Sequence, residues 1–339
     1  MRIALDAMGG DKAPGVIIDG AGAALAEAGA GLEIVLVGRE DVIAEELRQK
    51  GVSPSLFEVI SAREIVAMDE QPSATLRKKK ESSIAIGLRL QGKDQVQGFI
   101  SAGNTGAVVA NALFILGRIP GVERPAIATC VPTRGGGCIL LDVGANIDCR
   151  PSHLFQYALM GSCYASAVLA KPEPRIGLLN VGEEGSKGTG AVQEAHRLLA
   201  DGDVNFIGNV EGRDIFAGSV DVVVCDGFVG NVVLKFTESV VDMVYVVMKE
   251  ALTSTMRGRL GGILLKPAFN DLKALFDYAE YGGAPLLGVN GVCTVCHGSS
   301  SVRAIKNAVL ATQRYIKYDV KSAITERLGH RERSASETA

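Results

Sequence analysis

The chain contains no tryptophan, and aromatic residues make up only 5 % of its 339 residues. Stacking of bases on aromatic side chains therefore has little to work with. A net charge of −3 argues in the same direction against a nucleic-acid-coating surface, and no nucleic-acid partner is expected. No stretch reaches the roughly 18 uninterrupted apolar residues of a membrane span. The longest candidate, Ala158–Ala170, is broken by Gly161, Ser162 and Ser166. Four histidines include no His-Glu-x-x-His pair, and no second Cys-x-x-Cys arm completes a zinc framework, so no metal is expected. The seven cysteines are an odd number set mostly in apolar runs, as reduced core residues of a cytosolic protein are. The opening MRIALDAMGGDKAP meets Asp6 and a glycine turn before any export-signal core could form. A cytoplasmic protein is expected, with any membrane contact peripheral.

What is present is a globular composition, 47 % apolar and 22 % charged, with 41 glycines that let backbone approach a ligand closely. Short aliphatic runs predict strands at Ile3–Asp6, Glu33–Val37, Gly98–Ser101, Ala126–Val131, Cys138–Asp142, Ile176–Asn180, Asn205–Ile207, Val220–Cys225 and Val292–Cys296. Helical patterns lie between them, including Thr105–Leu116, Leu154–Leu169, Asn231–Leu252 and Val302–Arg327. The alternation predicts an α/β fold with a largely parallel sheet covered on both faces. No repeat or low-complexity linker divides the chain. We expect one two-lobed domain over 1–328, a helical protrusion around 250–280 and a frayed polar tail over 329–339.

The polar residues gather where strands end, which is where such folds bind ligands. Strand one runs into Asp6 and Asp11 around Gly9–Gly10. The strand Gly98–Ser101 runs into SAGNTGA, placing Ser101, Gly103, Asn104, Thr105 and Gly106 ahead of a helix. Exposed N–H groups and small side chains at a helix start suit an anion; a plain N-cap at Asn104 or Thr105 needs the same residues. LLDVGANIDCRP, LLNVGEEGSKGTG, FIGNVEGRDI, VVVCDGFVGN and NGVCTVCHGSSS repeat the theme. So many polar loops point to a lined cleft rather than to isolated turns.

Generic motifs fail. GAGAAL (Gly20–Leu25) lacks the last glycine of a dinucleotide fingerprint and lies inside a helical pattern, and GEEGSKGT has the wrong spacing for a phosphate loop. CTVCH (Cys293–His297) formally matches a haem-attachment signature, but its cysteines alternate along an apolar strand. Arg77–Lys80 is either a solvated helix face or a docking patch for an acidic partner or phosphate. Between Met256 and Phe276, Gly261–Gly262 and Pro267 predict a helix break around Ile263, Leu264 and Leu265, flanked by Arg257, Arg259, Lys266 and Lys273. That suits interfacial membrane contact; a dimer contact or a buried turn also fits.

Taken in order, DAMGGDKAP, TLRKKKESS, SAGNTGA, RPAIAT, LDVGAN, LLNVGEEGSKG, FIGNVEGRDI, CDGFVGN and HGSS resemble the bacterial phosphate acyltransferase family over nearly the whole chain. The resemblance implies Rossmann-like αβα layers related to isocitrate- and isopropylmalate-dehydrogenase-like proteins and to phosphotransacetylases. It implies a homodimer that makes acyl phosphate reversibly from long-chain acyl-acyl-carrier protein and orthophosphate, feeding phospholipid synthesis. It also implies peripheral association with the inner membrane face, where a membrane-bound glycerol-3-phosphate acyltransferase consumes the product. Arg77, Lys78, Lys79 and Lys80 then become carrier-protein or phosphate contacts, and Ile263–Leu265 a membrane contact.

Phosphate is already an anion at neutral pH, so the site needs positioning, charge neutralisation and an oxyanion hole rather than a covalent intermediate or a cofactor. We expect phosphate on the SAGNTG loop with Lys187 neutralising charge, and His297 or a loop N–H steadying the thioester oxygen. Asp226 would orient phosphate or take its proton, and Asn180 and Asn231 would position. The rivals are a dinucleotide-dependent dehydrogenase on a related fold and a non-catalytic membrane-associated scaffold.

Overall fold

The computed structural model of the chain describes residues 1–276 and 282–337, with side chains through 267 and over 282–329. The strands are β1 (Arg2–Asp6), β2 (Glu33–Gly38), β3 (Glu58–Ser61), β4 (Gly98–Ser101), β5 (Ala126–Thr133), β6 (Gly136–Leu141), β7 (Ile176–Leu179), β8 (Phe206–Val210), β9 (Val222–Val224), β10 (Ala284–Leu287) and β11 (Cys293–Val295). The helices are α1 (Gly15–Ala28), α2 (Glu40–Gln49), α3 (Pro72–Lys78), α4 (Ser83–Gly92), α5 (Thr105–Ile115), α6 (Pro151–Val168), α7 (Gly190–Ala200), α8 (Gly212–Ala217), α9 (Gly227–Thr253), α10 (Met256–Phe276), α11 (Val302–Lys317) and α12 (Val320–Glu337).

The strands form one sheet in the order β3-β2-β1-β4-β11-β10-β5-β6-β9-β7-β8. Pairing is parallel except at three junctions in the middle, β11–β10, β10–β5 and β5–β6. Following those junctions across the sheet, β4 and β9 run in opposite directions. The carboxyl end of β4 meets β11 at Val295, which faces Ala284 at the start of β10. The far end of β10, Leu287, faces Ala126 at the start of β5, where β6 and β9 end. The carboxyl edges of the two halves are thus offset by three residues of β10, about 10 Å. Strand stretches such as IAL, IVLV and CILL are apolar on both faces, as a sheet covered on both sides requires, and helices pack on each face over separate apolar clusters.

Several expectations change. The sheet is mixed at its centre, where β10, a strand that the sequence pattern did not reveal, runs antiparallel to both neighbours and β5 pairs antiparallel with β6; β3, α3 and α8 were likewise not anticipated. The single helix expected over Val302–Arg327 divides at Asp319, whose φ of 46° leaves the right-handed region. The expected break at Gly261–Gly262 and Pro267 is absent: α10 runs through all three, packed on α9. A proline inside a helix removes one hydrogen bond and bends the element without having to end it. The turn of this hairpin is at Ser254–Thr255, where the Thr255 hydroxyl accepts the Gly258 N–H. The backbone from Gly329 continues α12 to Glu337, and residues 338–339 of the expected tail lie outside the described residues. GAGAAL has a structural explanation: a Cβ on Gly20 would lie 2.5 Å from the Cβ of Ile305, so the glycine lets α1 and α11 touch.

At the amino end of β9, away from the site, Asp221 is clamped by Lys171 and Arg175. Burial alone would raise its carboxyl, but the hydrogen bonds from Arg175 and Lys171 outweigh that and hold it at about 2, below the ordinary 3.8. A carboxyl depressed by folding adds stability above its unfolded value and loses it as pH falls through the folded one. Asp221→Asn should therefore be less stable than the parent at neutral pH. The gap should close between pH 3.8 and about 2; urea titrations across that range read it, and a constant gap would contradict the clamp.

Candidate active site

Between the two offset sheet edges lies a cleft of about 820 Å³. Its floor is the strip of sheet at Ile127, Thr129, Ala284 and Val295. The start of α5 enters from one end and the start of α9 from the other. At the α5 end, Asn104 takes the Ala107 N–H on its side chain and the Val108 N–H on its carbonyl. Thr105 and Gly106, both lining the cleft, are left as first-turn N–H donors without intrahelical partners. Asp11 and His297 line the same end and are joined through the Asp11 N–H, which the Gly298 carbonyl accepts at 2.8 Å. His297 Nδ1 accepts the Ser299 N–H at 3.2 Å and faces the Ser299 hydroxyl at 2.7 Å. With Nδ1 accepting, the proton of the neutral ring sits on Nε2, which makes that nitrogen a donor.

The α9 end is built differently. Asp226 caps the helix, accepting the Val229 N–H at 2.8 Å. The Gly227 N–H donates to the Asn146 carbonyl at 2.7 Å, which leaves the Phe228 N–H as the first-turn donor without an intrahelical partner. Asn231, one turn on, lines the cleft beside Gly144, and its amide makes no hydrogen bond among the described residues. Val109, Leu113, Val143 and Leu234 make the walls apolar, and the ion pair Lys235–Glu238 (2.8 Å) sits on the rim.

Of the residues singled out in the sequence, Asp11, Thr105, Gly106, Asn231 and His297 come together in this cleft. Asp6, Ser101, Gly103 and Asn104 do not line it. Asp6 and Ser101 are buried, joined by a 2.7 Å hydrogen bond; Ser101 also accepts the Gly103 N–H, and Asp6 that of Met8. Burial raises the Asp6 carboxyl, with bonds from Ser83, Ser101 and the Met8 and Gly9 N–H groups opposing it. The Asn104 amide ties the carbonyls of Ala67, Met68 and Glu70. These three side chains shape the loop, and their burial removes them from direct substrate contact.

Asn180 and Lys187 stand on the neighbouring strand end. Leu178 pairs with Val224, which places Asn180 one strand from Asp226. The Asn180 amide holds the Lys187 carbonyl at 3.1 Å, while the Lys187 side chain is exposed at the flank of the cleft rather than in its lining. In the basic segment, Arg77, Lys78 and Lys80 are exposed, whereas Lys79 is paired with Glu70 and bonded to the Ile65 carbonyl. The segment adjoins the start of α5: a Cβ on Gly106 would lie 2.5 Å from Pro72. Ile263 and Leu264 are 70 % and 81 % exposed on α10, on a helix face rather than at a tip. Cys293 and Cys296 are buried, and burial pushes both thiols up to about 12, the chemistry of inert core residues. The sequence reading missed Thr129, Lys235 and Glu238; their only signal is position on β5 and α9.

One mostly parallel sheet with a cleft between the carboxyl edges of its two halves, a helix start at each end and apolar walls, is a fold shared with phosphotransacetylases. The comparison with solved structures agrees: a phosphotransacetylase from Streptococcus pyogenes superposes with a TM-score of 0.65 over 93 % of this chain and 94 % of that one, at 19 % identity. The model of the family described as fatty acid synthesis protein matches residues 1–323. The phosphate acyltransferase of Heliobacterium modesticaldum is 50 % identical over 329 residues, 97 % of this chain and 98 % of that protein. That of Halothermothrix orenii is 48 % identical over 330 residues, 97 % and 98 % of the two chains. The chain belongs to this phosphate acyltransferase family, and it is an enzyme that transfers acyl groups.

Proposed function

We propose that the protein makes acyl phosphate from a long-chain acyl-carrier-protein thioester and orthophosphate, reversibly, to supply phospholipid synthesis. The observation that carries this reading is a cleft with apolar walls and open N–H donors at Thr105 and Gly106. An anion fits the helix start, and an acyl chain fits the walls. Phosphate held there attacks the thioester carbonyl, the tetrahedral intermediate collapses, the C–S bond breaks and the carrier leaves as a thiolate that takes up the proton the phosphate gives up. His297 Nε2–H donates to the developing oxyanion. Asn231 positions the thioester from the opposite end, and Lys187 adds positive charge at the flank. Asp226 acts mainly by holding the start of α9.

The exposed Arg77, Lys78 and Lys80 beside α5 support docking of an acidic carrier protein. Exposed apolar residues along α9 support a homodimer, and Ile263, Leu264 and Leu265 with Arg257, Arg259 and Lys266 support peripheral contact with an anionic membrane, near the membrane-bound glycerol-3-phosphate acyltransferase that would use the product. We also place 1–328 in one two-lobed domain whose protrusion is the α9–α10 hairpin.

The deciding experiment incubates the purified protein with palmitoyl-carrier protein and orthophosphate and traps acyl phosphate with hydroxylamine, with palmitoyl-CoA in parallel. Phosphate-dependent product from the carrier thioester is expected; product from CoA alone would replace the donor, and no product would overturn the reading. In vesicle flotation with anionic lipid, Leu264→Glu with Leu265→Glu should lose most of the bound fraction, and unchanged flotation would end the membrane contact.

A further inference from the structure

The α9 end of the cleft rests on one carboxylate that the reaction scheme above does not use. Asp142, directly after β6, is 0 % exposed. Its Oδ1 accepts the N–H groups of Ile127 (3.0 Å), Gly144 (3.2 Å) and Ala145 (3.0 Å). Its Oδ2 accepts the N–H and the side-chain amide of Asn146, at 2.8 and 2.9 Å. Asn146 in turn offers its carbonyl to the Gly227 N–H and its amide to the Pro125 carbonyl. One side chain thus joins the floor strand, the 143–147 turn and the first residue of α9.

The fit above it is tight. A Cβ on Gly227 would lie 2.7 Å from the Asn146 carbonyl oxygen and 3.1 Å from Asp142 Oδ2; one on Gly230 would lie 1.9 Å from the Asp142 carbonyl oxygen. Those two glycines are the buried residues of α9. They let the helix lie against the Asp142 turn, which sets where the next cleft-facing turn places Phe228 and Asn231.

We infer that Asp142 is a positioning residue for catalysis: it seats the start of α9 so that Asn231 meets the substrate in the cleft. The inference rests on the reaction proposed above for its kinetic arm only. In Asp142→Asn, either orientation of the amide turns an NH2 group toward backbone N–H donors, so part of the seat must open. Displacement of about 1 Å at a reacting centre costs on the order of 100-fold in rate.

The test is a double-mutant cycle with Asn231→Ala, in folded protein at matched thermal stability. If Asp142 acts through Asn231, the double variant loses no more kcat than the worse single variant. Losses that multiply would overturn the inference. Gly227→Ala, which lifts the helix while leaving Asp142 intact, runs in the same cycle and decides the matter if Asp142→Asn does not fold. Amide hydrogen exchange reads the seat whatever reaction the protein performs. Faster exchange confined to 144–146 and 227–230 is expected in either variant, and unchanged exchange there would overturn the proposal. Wild-type protein without acyl-phosphate formation would instead refute the reaction and leave the exchange result to decide the seat.

Discussion

His297→Ala should lower kcat for acyl-phosphate formation by about 100- to 1000-fold, the cost typical of losing one oxyanion donor. KM for phosphate should move little, because the proposed scheme holds the ground-state anion on the Thr105 and Gly106 N–H groups rather than on the imidazole. Nδ1 accepts the Ser299 N–H, which leaves Nε2 as the ring's donor in the proposed scheme. Steady-state kinetics with the carrier thioester and with phosphate varied in turn separate the two constants. A rise in phosphate KM at unchanged kcat would move His297 from the oxyanion to the phosphate, and full turnover would remove it from the scheme.

With the homodimer proposed above built on the exposed face of α9, Phe236→Glu combined with Met243→Glu should leave a monomer. Both lie on the exposed part of α9, where Phe236 is 69 % and Met243 58 % exposed, with Val232 and Val247 on the same succession of turns. Apolar side chains at this helical spacing form a stripe that water does not favour. Burying it against its own copy gains roughly 25 cal/mol per Å², and two charges in that contact would each face the cost of burial without a partner. Sedimentation equilibrium at micromolar protein reads the outcome. A parent that is monomeric, or a variant that stays dimeric, would assign the stripe to something other than a second copy. Because α9 begins in the cleft and ends in the hairpin, dissociation should also lower activity by loosening the helix that carries Asn231.

Sequence and structure divide the work in a physically intelligible way. The strands that are apolar on both faces, the helices between them and the polar loops at strand ends were legible in the chain because each is a local pattern. Thr105–Gly106, Asn231 and His297 were found because they sit where strands end. Asp6 and Ser101 drew attention by the same rule, and only packing shows that each is buried against the other. Lys187 carries the right charge, yet the pairing of β7 with β9 sets it at the flank of the cleft. GAGAAL already fails as a nucleotide loop on its spacing, but the reason for Gly20, its contact with Ile305 of α11, is visible only in the packing.

By itself the sequence determined the fold class, the family and which loops hold polar groups, since alternating hydrophobicity and ordered motifs are properties of neighbouring residues. The tertiary structure alone decided that β10 inserts antiparallel to both β11 and β5, that the antiparallel β5–β6 pair turns the two halves against each other, that the two carboxyl edges are offset, and that α5 and α9 therefore enter one cleft from opposite ends. It also gave Asp142 its place as the seat of α9. The physical reason is that strand pairing and the filling of buried hydrogen bonds join residues more than 80 positions apart, from Asp142 to Gly230, and no local pattern carries that information.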